Sequence, residues 1–139
     1  MTVPGTFRKA VEAKDLSAIT GALDPGIEFN SPVMVKPYQG RDTVVALLAV
    51  LLEVFEDFHY TDELVGTGRP DVPSQALIFD ARVMGKAVQG LDLLRFGDGG
   101  LVTGLTVMVR PLPAAMTLAR VVGRRMEEAE GPGGPSGTA

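Results

Sequence analysis

The strongest constraint on the fold is a change in the spacing of apolar residues near residue 57. Before this point apolar residues recur at helical spacing, whereas after it they alternate with polar residues, as they do in strands with one buried face. Groups of glycine, proline and aspartate divide the alternating part into four segments. We therefore expect a meander of four antiparallel strands, at about 58–66, 75–84, 87–96 and 101–110.

The residues ahead of the meander predict helices. Thr6 is a suitable N-cap for a first helix from Phe7 to about Lys14. Asp15 can cap a second, short helix, which ends at the sequence Asp24-Pro25-Gly26. The apolar face of this second helix would carry Leu16, Ile19 and Leu23.

A short strand and two further helices complete the expected elements. Ile27–Asn30 alternates like a strand, and an irregular loop with prolines at positions 32 and 37 follows it. The third helix, from about Thr43 to Glu56 with Asp42 as its cap, is apolar on every side between Val44 and Leu52. A helix without a polar face is typical of a position between two layers of a protein or at an oligomer interface. A fourth helix is expected from about Ala114 to Glu128.

This order of elements, helices first and a strand meander after them, predicts an α+β fold in which the sheet buries one face against helices. The 139 residues are enough for one domain, which we place at residues 1–130. Residues 131–139 consist mainly of glycine and proline and cannot bury apolar surface, so we predict a disordered tail there.

Several functional classes are excluded by what the chain lacks. It has no cysteine and one histidine, His59, so we expect no thiolate chemistry, no histidine-based triad, no metal and no other cofactor. A net charge of −4 and a pI of about 4.9 argue against a nucleic-acid partner. The longest apolar run, Val44–Leu52, is too short to cross a bilayer, and the N-terminus lacks the pattern of a signal peptide. We therefore expect a soluble, cytoplasmic protein without a membrane partner.

The expected turns also indicate which side chains share a face of the sheet. With a two-residue turn at Gly85-Lys86, Phe79 lies opposite Asp92, and with a loop at Gly97–Gly100, Asp92 lies opposite Leu105. Because each strand alternates between faces, one face collects apolar side chains around Asp92, its only charged residue. The apolar members are Leu77, Phe79, Ala81, Val83, Leu94, Phe96, Leu105, Val107 and Val109.

A carboxylate on an apolar face is costly when it is ionised and unpaired, so Asp92 is expected to have a raised pKa or to meet hydrogen-bond donors. Such a residue is typical of a pocket acid. Two alternatives stay open: a structural aspartate satisfied by a side-chain or backbone donor from an adjacent helix, and a register slip by one residue that exposes the side chain. The opposite face mixes charged residues with Leu91 and Leu93, and we predict a homodimer through it.

Two segments, in this order of elements, resemble a known group of proteins. Tyr38–Asp42 precedes the apolar helix, and Gly90–Phe96 leads into the glycine-rich loop Gly97–Leu101. Over roughly residues 5–126 the chain resembles the nuclear transport factor 2-like superfamily, particularly its SnoaL-like branch. The resemblance implies a cone-shaped α+β barrel whose curved, mostly antiparallel sheet wraps around the N-terminal helices, encloses an apolar pocket and commonly forms dimers.

The superfamily includes ketosteroid isomerase, polyketide cyclases, limonene-epoxide hydrolase, scytalone dehydratase and non-catalytic binding proteins, so the fold alone does not assign a function. In the isomerase a protonated aspartate and a tyrosine form an oxyanion hole, and a second aspartate is the base. By resemblance, Asp92 corresponds to the protonated aspartate, Phe7 to the tyrosine, and Asn30 or Ser31 to the base. Val107 stands where the cyclases and the epoxide hydrolase have an aspartate. None of these catalytic sets is therefore carried over complete.

We therefore expect a pocket protein that binds a small apolar molecule with a polar head, held by Asp92 and Asn30. If the protein is an enzyme, Asp92 would be the hydrogen-bond donor or acid in an isomerisation, cyclisation or dehydration. The expected walls are Phe7, Leu48, Leu51, Phe79, Leu94, Leu105, Val107 and Val109. The alternative is a non-catalytic dimerising or ligand-binding module whose pocket is filled by its own side chains.

Overall fold

The computed structural model describes residues 4–130, and within this range the chain forms four α-helices and six strands. The predicted disordered tail, residues 131–139, lies outside the described residues. A short 3-10 turn at Asp98–Gly100 joins the last two strands. In chain order the elements are α1 (Thr6–Glu12), α2 (Leu16–Ala22), β1 (Leu23–Asn30), β2 (Tyr38–Gln39), α3 (Arg41–Val54), β3 (Glu56–Val65), β4 (Ser74–Val83), β5 (Lys86–Phe96), β6 (Val102–Arg110) and α4 (Leu112–Glu130).

The six strands form one curved, mixed sheet with the order β2-β1-β6-β5-β4-β3. β1 and β6 run parallel, and every other neighbouring pair is antiparallel. The α+β class and the mostly antiparallel sheet are confirmed. The sheet is open, because β2 and β3 are its two edges and do not pair with each other, so the expected barrel does not close.

The turn between β4 and β5 lies one residue earlier in the chain than predicted. Met84 and Gly85 are its central residues, with φ angles of 49° and 77°, the geometry of a type I′ turn. Asp92 consequently pairs with Leu77 on β4 rather than with Phe79, and with Val107 on β6 rather than with Leu105. Both registers move by two residues, so every side chain stays on the predicted face.

The face that carries Asp92 is buried, and the opposite face is partly exposed. The apolar residues predicted for it are buried, apart from the half-buried Val109, and they belong to the main hydrophobic core. Helices α1, α2 and α3 pack over this concave face. The exposed side chains of Arg82, Arg95 and Met108 lie on the outer face.

The helix starts follow the predicted caps only in part. Asp15 caps α2, and its side chain accepts a hydrogen bond from the backbone N–H of Ala18 at 3.1 Å. α1 begins at Thr6 itself, after Gly5, so Thr6 is not the cap. α3 begins after Gly40, whose φ of 94° favours glycine, and Asp42 lies in its first turn instead of at the cap.

The end of α2 was predicted incorrectly. The helix stops at Ala22, and Leu23 begins β1 with Asp24-Pro25-Gly26 inside the strand, where the pairing to β6 shifts register. A Pro and a Gly are tolerated there because this part of the strand is irregular. Leu16 is 41% exposed, so it is not part of the buried face of α2.

A short edge strand and the last helix complete the fold. The predicted loop around Tyr38 contains the two-residue strand β2, which pairs with β1. α4 packs on α3 and on strands β4 to β6, where Thr117 accepts a hydrogen bond from Nζ of Lys86 at 3.1 Å. Over residues 4–130 no helix combines the length and apolar character needed to cross a membrane.

Candidate functional site

A small cavity lies between the concave face of the sheet and helices α1 to α3. Its volume of about 40 Å³ is enough for a few water molecules or a very small organic molecule. Two of its lining residues, Tyr60 and Asp92, carry polar side-chain atoms, and the remaining lining is apolar. The lining residues are Phe7, Val11, Ile19, Leu48, Leu51, Leu52, Phe55, Phe58, Tyr60, Phe79, Asp92, Leu105 and Val107.

Asp92 belongs to the sheet side of this cavity. β5 positions it between Leu77 of β4 and Val107 of β6, and the residue is 8% exposed. Burial among apolar residues raises the pKa of Asp92 from 3.8 to about 7, because the ionised form loses its hydration. Asp92 therefore exchanges its proton close to neutral pH.

Tyr60 is the hydrogen-bond partner of Asp92. Its hydroxyl donates to Oδ2 of Asp92 at 3.0 Å, and this bond limits the rise in the pKa of the carboxyl. Burial and the neighbouring carboxylate raise the pKa of Tyr60 far above its ordinary value, so the phenol stays protonated. The donor is therefore a side chain of strand β3, and not a group from an adjacent helix as one of the alternatives expected.

Gly90 allows Tyr60 and Asp92 to meet across the intervening strand. Phe79 of β4 pairs with Tyr60 on one side and with Gly90 on the other. A Cβ atom at Gly90 would overlap the ring of Phe79, so only glycine leaves room for this ring over β5. The ring in turn lies 6.4 Å from the ring of Tyr60 and supports its position.

Four aromatic rings form one wall of the cavity. Phe58 lies 4.6 Å from Phe79 and 5.1 Å from Tyr60, measured between ring centroids, and Phe55 lies 5.4 Å from Phe79. The guanidinium of Arg8 covers the Tyr60 ring at 5.5 Å. The aromatic wall therefore gives the cavity that contains Asp92 an apolar and polarisable surface.

The rim of the cavity is formed by its less buried residues. Leu51 and Leu52 of α3 and Phe58 of β3 are half-buried, whereas the other ten lining residues are buried. Arg8 of α1 is tied to β3 by an ion pair with Glu63 at 3.0 Å. A molecule larger than the present cavity would therefore enter most easily by displacing the rim side chains.

The structure gathers most, though not all, of the predicted pocket residues. Phe7, Leu48, Leu51, Phe79, Leu105 and Val107 line the cavity together with Asp92. Asn30, Leu94 and Val109 do not line it. The Asn30 amide donates instead to the hydroxyl of Thr106 at 3.3 Å, Leu94 is enclosed in the core, and Val109 packs against that core.

Tyr60 is the polar residue that sequence reasoning missed. The one histidine of the chain, His59, is exposed, and its Nδ1 lies 2.9 Å from the backbone oxygen of Asp57. The alternation of β3 places Phe58 and Tyr60 on the face opposite His59, which is the signal that could have identified Tyr60. Among residues 4–130 no cluster of three His, Cys, Asp or Glu side chains could hold a metal ion.

Comparison with known proteins identifies the family through solved structures. No protein-family profile and no curated protein matches the chain. A steroid delta-isomerase from Pseudomonas aeruginosa is 36% identical, with a TM-score of 0.81 over 88% of each chain. A cystatin-like-fold protein from Silicibacter pomeroyi is 29% identical, with a TM-score of 0.80 over 90% of this chain and 86% of that one.

A SnoaL-like protein from Burkholderia thailandensis shares the fold at 23% identity, with a TM-score of 0.60 over 76% of this chain and 90% of that one. The order of helices and strands, the open curved sheet and the cavity above it agree with the resemblance seen in the sequence. On the identity and coverage of these structures, the chain belongs to the nuclear transport factor 2-like superfamily, which includes the SnoaL-like proteins.

Proposed function

We propose that the protein binds a small, mostly apolar molecule in this cavity and holds its polar head at Asp92. The observation that carries the proposal is a buried carboxyl group whose Oδ2 is bonded to Tyr60, while Oδ1 accepts no hydrogen bond from the described residues. A ligand that forms a hydrogen bond with Oδ1 would do so in a cavity with apolar walls, where the low local dielectric strengthens such a bond. The apolar walls would bury the rest of the molecule.

The chemistry that this arrangement favours is proton donation to an oxygen atom. In its neutral form, Asp92 can donate to a carbonyl or alkoxide oxygen on which negative charge develops, and the apolar surroundings strengthen this hydrogen bond. A pKa of about 7 keeps both protonation states accessible near neutral pH, which suits a general acid. An isomerisation, a cyclisation or a dehydration would each use such a donor.

The similarity to a steroid delta-isomerase supports isomerisation of an unsaturated ketone as the first reaction to test. The cavity lacks two of the three catalytic groups of the isomerase. Phe7, at the position of the tyrosine, offers no hydrogen-bond donor, and neither Asn30 nor Ser31, at the position of the base, lines the cavity. Asp92 is the one carboxyl group among the lining residues. Any proton removed from a substrate carbon would therefore have to pass to Asp92 or to water.

The size of the cavity favours a second candidate function, a non-catalytic module with a nearly filled pocket. A benzene-sized guest needs roughly 150 Å³, well above the about 40 Å³ present here. Binding of larger molecules requires Leu51, Leu52 and Phe58 to move, which the half-exposed rim allows. If the rim does not move, the cavity is part of the core and the domain acts through its surfaces.

Binding is tested with two ring compounds that differ in the polar head, cyclohexanone and cyclohexane. Titrated into protein with 13C-labelled methyl groups, both are expected to shift the signals of Leu48, Leu105 and Val107. The ketone should bind about tenfold more tightly, as one hydrogen bond to a buried acid predicts, and Asp92→Ala should abolish this preference. If neither compound shifts these methyl signals, the proposed ligand site is wrong and the filled-pocket alternative is supported.

Catalysis is tested with cyclohex-3-enone, whose conversion to the conjugated isomer is followed by ultraviolet absorbance. Asp92→Asn keeps an N–H donor, whereas Asp92→Ala has none, so partial activity is expected in the first variant and none in the second. Equal rates in the wild-type protein and both variants would exclude a catalytic role for Asp92. Asp98→Asn, in an exposed loop, is the matched control.

We also propose a homodimer through the outer face of the sheet. Leu91 pairs with Met108 on this face, and Met108 is 52% exposed in the single chain. Light scattering at micromolar concentration should give twice the mass of the chain, and Leu91→Glu should reduce it to one chain. Val35→Glu, at a fully exposed position in the loop between β1 and β2, is the control that should remain dimeric. A monomeric wild-type protein would contradict the proposal.

A further inference from the structure

The two oxygen atoms of the Asp92 carboxyl group are in different environments. Oδ2 accepts the hydrogen bond from the Tyr60 hydroxyl at 3.0 Å, and Oδ1 has no partner within residues 4–130. The Tyr60 hydroxyl also has no second acceptor in this part of the chain. If the proton of a neutral Asp92 were on Oδ2, the Tyr60 O–H group would have to turn away from Asp92 and would have no acceptor among the described residues. The unpaired hydroxyl makes this arrangement unfavourable.

We propose that Tyr60 is a positioning residue that occupies Oδ2 and leaves Oδ1 as the one atom through which Asp92 exchanges a proton or a hydrogen bond with a ligand. The inference rests on the proposed ligand site and specifies its chemistry. A neutral Asp92 presents an O–H donor at Oδ1 and selects ligands with an acceptor head, such as a ketone. An ionised Asp92 presents an acceptor and selects ligands with a donor head, such as a protonated amine.

The charged groups near the pair lie on α1 and β3. Glu12 raises the pKa of Tyr60, whereas Arg8, whose guanidinium lies over the Tyr60 ring, lowers it. Arg8 also forms ion pairs with Glu12 and Glu63. The lining residues from β4, β6, α2 and α3 are apolar. Asp92 is therefore the group that changes charge near neutral pH inside the cavity. Because burial raises the pKa of Asp92 to about 7, the preference for acceptor or donor heads should reverse close to this pH.

The test uses acetone and isopropylammonium, which have the same carbon skeleton and, because they are small, require less movement of the rim side chains than a ring compound does. Each is titrated into the full-length protein at about pH 5.5 and about pH 8.5, and cavity methyl signals report binding. Acetone is expected to bind about tenfold more tightly at the lower pH, and isopropylammonium about tenfold more tightly at the higher pH. The pH at which the two affinities cross is the measured quantity.

Tyr60→Phe removes the hydroxyl and keeps the aromatic ring. Because the bond from Tyr60 stabilises the ionised carboxylate, its loss should raise the pKa of Asp92 and move the crossing to higher pH. A purely structural role for Tyr60 would change stability without moving the crossing. Tyr38→Phe, the same chemical change outside the cavity lining, should leave the crossing where it is in the wild-type protein.

Asp92→Asn provides a second, independent variant. Its amide oxygen can accept from Tyr60 while its N–H group faces the cavity, so acetone should bind at both pH values and isopropylammonium at neither. Binding without a pH-dependent reversal, or a crossing that Tyr60→Phe does not move, overturns the inference and leaves the proposed ligand site intact. Failure of both compounds to bind the wild-type protein at either pH overturns both.

Discussion

Replacing Asp92 by asparagine should change how the stability of the protein depends on pH. In the folded state the pKa of Asp92 is about 7, against an ordinary value of 3.8. At about 1.4 kcal/mol per pKa unit, this difference corresponds to about 4 kcal/mol. The asparagine side chain has nearly the same shape as aspartate, can still accept a hydrogen bond from Tyr60, and does not ionise. The variant therefore isolates the energetic consequence of the charge.

The direction of the effect follows from proton binding. Between pH 3.8 and about pH 7 the folded state retains a proton on Asp92 that the unfolded chain has released. The stability associated with this proton is complete below pH 3.8 and is lost as the pH rises through about 7. The wild-type protein should therefore lose up to about 4 kcal/mol relative to Asp92→Asn between about pH 4 and about pH 8.

The assay is urea denaturation of both proteins at a series of pH values across this range, followed by circular dichroism. The difference in the free energy of unfolding should grow steadily with pH and level off above about pH 7. Asp98→Asn, at an exposed loop position, should show a constant difference from the wild-type protein. A constant difference for Asp92→Asn as well would refute the argument that Asp92 is buried with a raised pKa.

Three further substitutions test how the site is built. Gly90→Ala should destabilise the protein by about 1–3 kcal/mol in urea denaturation, because the added methyl group overlaps the Phe79 ring, and an unchanged midpoint would contradict that packing. Asp15→Ala should cost about 1 kcal/mol by removing the cap of α2, whereas Asp15→Asn should cost less; equal losses would rule out capping. Leu52→Ala at the rim should accelerate cyclohexanone binding in stopped-flow or exchange measurements and cost about 1–2 kcal/mol of stability. An unchanged association rate would place the entrance elsewhere.

The fold could be predicted well from the sequence because its signals are local. Strand positions followed from alternation, and the bounds agree to within about two residues for all four strands of the meander. The turn at Met84 and Gly85 was misplaced by one position because a positive φ at methionine, 49° here, is unusual and the adjacent Gly85-Lys86 pair looked equally suitable. β2 and the first residues of β1 were missed because short or irregular strands depend on pairing partners distant in the chain.

Only one part of the site could be predicted reliably, namely the face of the sheet from which Asp92 projects, because alternation along a single strand determines it. The face of Asp92 was robust, since an error of two residues in register returns every side chain to the same side of the sheet. The expected walls were less accurate. Asn30, Leu94 and Val109 were assigned to the pocket from the face of their strand or from the family resemblance. Whether a residue on that face reaches the cavity depends on the curvature of the sheet, and these three do not line it.

The sequence by itself determined that one carboxyl group, Asp92, projects from the apolar face of the sheet. Strand alternation is a property of each segment alone, and no distant contact is needed to establish it. Only the tertiary structure decided that Tyr60 bonds to this carboxyl group. The two residues are on strands separated by β4, and β3 changes register on both sides of Tyr60 and its neighbour His59. Their 3.0 Å contact depends on these irregularities, on the space left by Gly90 and on the packing of Phe79, which no local pattern reveals.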